Sequence, residues 1–321
     1  SSVEMPTATD PLLVIVGPTG SVKTSLAVLL AELAGGEVVS ADSVQVYRHF
    51  DIGSAKPTAE ERARAVHHLV DLVEPHEALE AAQWAARAEA TIAELRARGV
   101  RPILCGGSFL WIRALLHGLA EAPPADPAVR ARHQELAERE GRPALHEQLT
   151  RVDPESAARL HPHDFVRVSR ALEVFELTGT KLSTLQARHG FRTWRHPAHL
   201  IGVQHTPEQL DERLRARCRQ MFEVGWLDEV RRLLQAGYGA TRPMGAVGYR
   251  LLAAALEADP DLEGASETLQ EEVLRATRVF ARRQRTWLRD QPVRWLSPQE
   301  TQREDVLEEL LRAPFRDDVV A

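Results

Sequence analysis

Lys23 and Thr24 close the stretch Gly17-Pro18-Thr19-Gly20-Ser21-Val22-Lys23-Thr24, which follows the apolar run Leu12-Leu13-Val14-Ile15-Val16. Residues of these types in this order suit a loop that wraps a phosphate. Successive backbone N–H groups point inward, and the helix that follows adds partial positive charge at its N-terminus. The lysine supplies a compact cation and the threonine a hydroxyl for Mg²⁺. The usual pattern has a second glycine directly before the lysine, where this chain carries Val22. A β-branched residue resists unusual backbone angles and sets a Cβ where the phosphate approaches. Val22 is therefore expected to weaken the site. The competing explanation is a strand–turn–helix with no ligand.

Two further segments carry chemistry at the ends of short apolar runs: Asp42-Ser43 after Glu37-Val38-Val39-Ser40, and Gly106-Gly107-Ser108 after Ile103-Leu104-Cys105. An aspartate at a strand end can accept a proton from a reacting group, or it can simply cap the next turn.

These segments need a frame. The pattern predicts strands over 12–16, 37–40, 100–105 and 200–203, and helices over 23–34, 59–68, 77–98 and 109–117. A polar, Arg- and His-rich helical stretch runs from 127 to 195, interrupted at His161-Pro162-His163-Asp164. Further helices are expected at 207–236, 246–257 and 266–290. Strands alternating with helices imply a parallel sheet, and ligands of such sheets sit beyond the C-terminal strand ends. The three chemical segments should therefore converge. The expected fold class is α/β: a P-loop NTPase-like parallel sheet with flanking helices, a helical insertion domain and a helical C-terminal part. The first part of the core is set at 11–122, the insertion at 123–198, and the rest of the core with the C-terminal helices at 199–296; 1–10 and 297–321 are expected to be peripheral or flexible ends.

Composition restricts the partners. With 321 residues the chain can build one large or two modest domains. No apolar run approaches the roughly 20 residues that span a bilayer. Residues 1–11 lack the basic and apolar regions of a signal peptide. Cys105 and Cys218 stand alone, so neither a zinc site nor a disulfide framework is indicated and a reducing cytoplasm is expected. A net charge of −6 argues against indiscriminate nucleic-acid binding without excluding a local basic surface. Arg275, Arg278, Arg282, Arg283, Arg285 and Arg289 share one predicted helix. They form either a solvated face or a surface that tracks phosphates.

Taken together, Gly17 to Thr24, Asp42-Ser43-Val44-Gln45-Val46-Tyr47-Arg48 with Asp51-Ile52-Gly53-Ser54-Ala55-Lys56-Pro57, Gly106-Gly107-Ser108, Val247-Gly248-Tyr249-Arg250 and Arg282-Arg283-Gln284-Arg285-Thr286-Trp287-Leu288-Arg289 resemble the tRNA dimethylallyltransferases of bacteria. The likeness runs from about residue 12 to 296, and the Asp42-to-Pro57 segment is its most specific part. It implies transfer of a dimethylallyl group from dimethylallyl diphosphate to N6 of the adenosine 3′-adjacent to the anticodon, in tRNAs reading codons that begin with U. The loop would hold the diphosphate of the donor, with Mg²⁺ on Thr24. Asp42 would be the general base. Lys23 and Arg217 would stabilise the leaving diphosphate, although Arg217 also reads as an exposed helix arginine. Ser108, where the family usually has threonine, would act near the scissile bond. Asp42, Ser43, Gln45 and Tyr47 would line the path of the adenine. Arg130, Arg167, Ser169 and Arg170, with Gly248, Tyr249 and Arg250, would contact the tRNA. A cytoplasmic monomer with no membrane partner is expected. An ATP-using P-loop kinase, an isopentenyltransferase acting on free adenylate, and a tRNA-binding protein impaired by Val22 remain as alternatives.

Overall fold

The computed structural model describes residues 11–119, 122–189 and 194–312, so the expectations for residues 1–10 and 313–321 lie outside it. The sheet comprises β1 (Leu12–Ile15), β2 (Gly36–Ser40), β3 (His67–His68), β4 (Arg101–Cys105), β5 (Ala198–Val203) and β6 (Val293–Leu296), in the order β3-β2-β4-β1-β5-β6. Every pairing is parallel. β1 lies between β4 and β5, with Val14 opposite both Leu104 and Leu200. All four of its residues are buried, which explains the unbroken apolar run: a central parallel strand is covered on both faces.

The flanking helices before the insertion are α1 (Lys23–Ala34), α2 (Ala59–Arg64), α3 (Ala81–Ala97) and α4 (Phe109–His117). The insertion carries α5 (Pro127–Glu140), α6 (Arg142–Val152), α7 (Pro154–Arg159), α8 (Phe165–Thr178) and α9 (Leu182–His189). After β5 come α10 (Pro207–Glu223), α11 (Trp226–Gln235), α12 (Tyr249–Ala258), α13 (Glu267–Arg289) and, beyond β6, α14 (Glu304–Arg312). The chain divides into one unit of residues 1–116 and 196–321 and a second of residues 117–195. The second unit is close to the expected insertion and has its own core of Leu145, Leu149, Ala157, Val168, Ala171 and Leu172.

Several boundaries differ from the expected ones. The helix expected over 59–68 stops at Arg64. Ala65 turns extended, and His67–His68 instead pair with Val38 and Val39, supplying a partner for the outer side of β2. The helix expected from 77 begins at Ala81, where Glu80 and Gln83 form a reciprocal capping box. The span 207–236 is two helices, separated at Gly225, whose φ of 102° suits glycine. Residues 297–312 are not a peripheral end. Val306, Leu307 and Leu310 of α14 are buried in the core cluster with Leu26, Leu30, Ile103 and Ile201, and Arg101 Nη1 donates to the Leu311 carbonyl at 2.8 Å.

Candidate active site

α1 begins at Lys23, so the loop from 17 to 22 delivers its amides directly to a helix N-terminus. Gly20 has φ 86° and makes the turn that requires glycine. Gly17 is held close to Ser21, whose Oγ would lie 2.5 Å from a Cβ at 17 and donates to the Pro18 carbonyl at 2.7 Å. Lys23 Nζ donates to the carbonyls of Gly17 and Pro18, both at 3.0 Å. Val22 needs no left-handed backbone, so its place before Lys23 does not demand glycine on that ground. Its φ of −82° is negative, and with a ψ of 49° it lies near an inverse γ-turn rather than in the left-handed region; its half-buried side chain packs against the core cluster. It is absent from the lining of the cavity beside the loop.

That cavity, of about 370 Å³, lies within the first unit and is where the three chemical segments meet. Thr19, Ser21, Lys23, Thr24, Asp42, Ser43, Gln45, Gly107, Ser108, Arg217 and Tyr249 all line it. The loops after β2 and β4 are joined closely. Gly106 packs so tightly on Ala41 that a Cβ would come within 2.1 Å of its carbonyl oxygen. Ser43 N donates to Ser108 Oγ at 2.9 Å, and Ser108 Oγ donates to Ser43 Oγ at 3.2 Å.

Asp42 combines both alternatives raised for it. Oδ1 accepts from the amides of Val44 (2.8 Å) and Gln45 (3.0 Å), capping the turn, while Oδ2 has no hydrogen-bond partner among the described residues. The carboxylate lies in the field of both Lys23 and Arg217. Burial, assisted by the Arg217 charge, pushes the Lys23 ammonium down to about 8. Burial also holds the Arg217 guanidinium below its ordinary value, with Asp42 opposing the shift. No acceptor or carboxylate contacts Arg217 among the described residues. Two half-buried cations that lack an acidic contact partner, beside the amides that open α1, can hold an anion.

Three positioning groups escaped sequence reasoning. Gln284 of α13 accepts from Thr19 N through Oε1 (2.7 Å) and donates to the Gly107 carbonyl through Nε2 (3.1 Å), strapping two loops together. Its place in the matched Arg282–Arg289 segment was the available signal. Glu229 of α11 is buried and accepts from the amides of Asp51 (3.0 Å) and Ile52 (2.7 Å) and from the Tyr249 hydroxyl (2.5 Å). Tyr249 in turn accepts from Gly53 N at 3.0 Å. Trp226 is wedged between Gly53 and Gly248. Neither Glu229 nor Trp226 carried any local signal.

The remaining expected positions divide. Gln45 Nε2 donates to the carbonyls of Ser54 and Ala55, both at 3.1 Å, tying the Asp51-to-Pro57 segment to the cavity. Tyr47 is completely buried and lies outside the lining, so it is a core residue. Gly248 is buried under the Trp226 ring, and Arg250 is exposed on the first turn of α12. In the second unit, Arg130 and Arg170 pair with the buried Glu173, at 3.2 and 2.5 Å, each keeping part of its surface open. Ser169 is buried against His133 at 2.8 Å and has no surface to offer an RNA. Arg167 is largely exposed. On α13, Arg278 pairs with Asp211, whereas Arg282, Arg283, Arg285 and Arg289 are exposed.

Among the described residues no group of three or more His, Cys, Asp and Glu side chains could hold a metal ion, and no helix is long and apolar enough to cross a membrane. Thr24 is nevertheless a hard oxygen donor facing the anion site, which suits Mg²⁺ held mainly by phosphate oxygens and water.

A family model described as IPP transferase matches residues 45–291. The chain is 56% identical over 294 residues to the tRNA dimethylallyltransferase of Sorangium cellulosum, covering 91% of this chain and 92% of that one. The crystal structure of a full-length tRNA isopentenylpyrophosphate transferase from Bacillus halodurans is 33% identical, with a TM-score of 0.67, over 94% of this chain and 97% of that one. A eukaryotic dimethylallyltransferase solved acting on tRNA, 24% identical over 90% of this chain and 74% of its own, shares the fold at a TM-score of 0.75. The match spans the segments that close the cavity, from Gln45 through Glu229 and Tyr249 to Gln284, and the chain belongs to the IPP transferase family.

Proposed function

We propose that the protein transfers a dimethylallyl group from dimethylallyl diphosphate to N6 of the adenosine 3′-adjacent to the anticodon of tRNA, releasing diphosphate. The observation that carries this reading is Arg217, a half-buried guanidinium without a contacting carboxylate among the described residues, lining the same cavity as the half-engaged Asp42. The names of the relatives support the prenyl and tRNA parts.

The diphosphate binds the amides that open α1 at Lys23 and Thr24, with the Lys23 ammonium and Arg217 on its oxygens. These groups are already oriented, so they stabilise the charge that grows as the C1–O bond breaks. A Mg²⁺ ion held in part by Thr24 supplies further positive charge to the departing diphosphate when bound. The exocyclic amine is a weak nucleophile, because its lone pair is delocalised into the ring. As the N6–C1 bond forms, the nitrogen loses a proton to Asp42 Oδ2, which Oδ1 keeps in place through its two amide contacts. Ser108 holds Ser43 at the wall where the adenine enters, and Gln45 shapes that wall through Ser54 and Ala55. The adenine must leave its stack to reach this depth. Arg130, Arg167, Arg170 and Arg250, each with exposed guanidinium surface, are assigned to the tRNA backbone; Gly248 and Tyr249 act by shaping the wall. The protein is assigned to the cytoplasm as a monomer.

The test is incubation with unmodified tRNA and dimethylallyl diphosphate, followed by digestion and mass analysis of the nucleosides. One added five-carbon unit on adenosine supports the reading. Consumption of ATP with no modified nucleoside would favour a kinase instead.

A further inference from the structure

α10 turns Leu214, Arg217, Cys218 and Met221 toward the cavity, the spacing of a single helical face. One end of this stripe touches the phosphate loop. Leu214 Cδ2 would lie 2.7 Å from a Cβ at Gly20, and Arg213 Nε donates to the Gly20 carbonyl at 2.6 Å. Away from Arg217 the stripe is apolar, and α13 adds Thr277 and Phe280 to the same lining.

Past Met221, Phe222 packs on Trp226, which is 3% exposed and lines the same cavity. A Cβ on either Gly53 or Gly248 would come within 2.3 Å of its indole. The ring also meets Tyr249 edge-on at 5.6 Å and Phe222 at 5.2 Å. A ring enclosed on so many sides cannot swing away, so it is a fixed wall behind the cavity.

Proton transfer and charge stabilisation make no use of Leu214, Cys218, Met221 or Trp226. Resting on the prenyl-transfer reading, we infer that Met221, backed by Trp226, sets the maximum length of the isoprenoid chain. Arg217 and Met221 are four residues apart, a rise of about 6 Å along the helix. A five-carbon chain attached to a diphosphate at Arg217 would span about one helical turn, about 5 Å, which brings its end level with Met221; a ten-carbon chain needs about twice that and would run on toward Phe222 and the indole packed on it. The cavity volume agrees. At about 370 Å³ it sits near the low end of the roughly 300–1,000 Å³ of small-molecule sites, and two reactants must share it.

The test offers dimethylallyl and geranyl diphosphate in competition to the wild-type protein with unmodified tRNA, and weighs the modified nucleosides. One misfitting methylene already costs roughly 10- to 200-fold in selectivity, so the wild type is expected to disfavour geranyl by at least about 100-fold. Met221→Ala removes the end of the stripe and should raise the geranyl-to-dimethylallyl ratio at least tenfold. Met221→Leu, which conserves volume, should leave the ratio within about threefold. If thermal melting shows Met221→Ala unfolded, Met221→Val is read in its place. Equal use of both donors by the wild type overturns the inference, as does an unchanged ratio in a folded Met221→Ala or Met221→Val. Five-carbon transfer alongside that unchanged ratio leaves the transfer reading intact. The absence of five-carbon product from the wild type overturns both.

Discussion

Val22→Gly restores the residue that a phosphate loop ordinarily has, and the packing of Val22 predicts an effect on stability rather than on the donor. Had the valine intruded on the donor, removing it would raise donor kcat/KM by tenfold or more, equivalent to about 1.4 kcal/mol. Val22 instead takes a φ of −82°, packs its half-buried side chain on the core cluster and stays out of the cavity lining. Deleting a half-buried isopropyl group forfeits about 1 kcal/mol of burial, at about 0.8 kcal/mol for each fully buried carbon. Glycine also loses more conformational freedom on folding, about 0.5–1 kcal/mol. Its tolerance at helix N-caps moderates that second loss. The sum is a destabilisation of about 1.5 kcal/mol, or a fall in Tm of about 2 °C for 321 residues at about 2.1 cal/mol/K of unfolding entropy each. Melting should therefore shift down while donor kcat/KM stays within about twofold. Val22→Ala, which keeps the Cβ, should lose about half as much stability. A tenfold gain in donor kcat/KM, or an unshifted melt, would refute the packing argument.

Asp42→Asn keeps an oxygen to cap the turn but cannot accept the proton from N6. Its kcat should fall by about 10²–10⁴ with donor KM little changed, measured by single-turnover tRNA modification. A variant retaining a tenth of the wild-type rate would remove Asp42 from the base role. Lys23, pushed down to about 8 by burial and the nearby Arg217 charge, is an ammonium below that pH and a neutral amine above it. Donor binding favours the ammonium, so donor kcat/KM should be level below pH 8 and fall about tenfold per unit above it; a profile level to pH 9.5 would contradict this. Glu229→Gln places an amide donor among groups that are all donors to that carboxylate. It should cost about 1–3 kcal/mol by denaturant titration and raise tRNA KM more than donor KM; an equal rise in both would show that residues 51–53 do not shape the tRNA side.

Some of this was legible because near neighbours along the chain decide it. The loop at 17–24, the start of α1 at Lys23 and the whole of α4 lie where the local pattern places them. An apolar run set between Pro11 and Gly17, and a helix that follows the loop at once, leave few other conformations open. The convergence of Lys23, Asp42 and Ser108 was legible for a topological reason: parallel strands deliver their following loops to one end of the sheet. Arg217 was legible only by resemblance. Among the arginines of its helix, nothing local marks the one that turns inward.

By itself, then, the sequence determined the phosphate loop, the parallel α/β frame and the identity of the groups able to move a proton or hold an anion. Tertiary structure alone decided that His67–His68 complete an edge, that α14 covers the core, that Val22 faces packing rather than ligand, and that Ser169 and Tyr47 are interior. It also brought Gln284 to Thr19 across 265 positions, and Trp226 against Gly53 and Gly248. Those outcomes depend on which surfaces remain to be buried once the sheet has formed. Burial of that kind is set by shape and area contributed from distant parts of the chain, and it leaves no periodic trace in the local sequence.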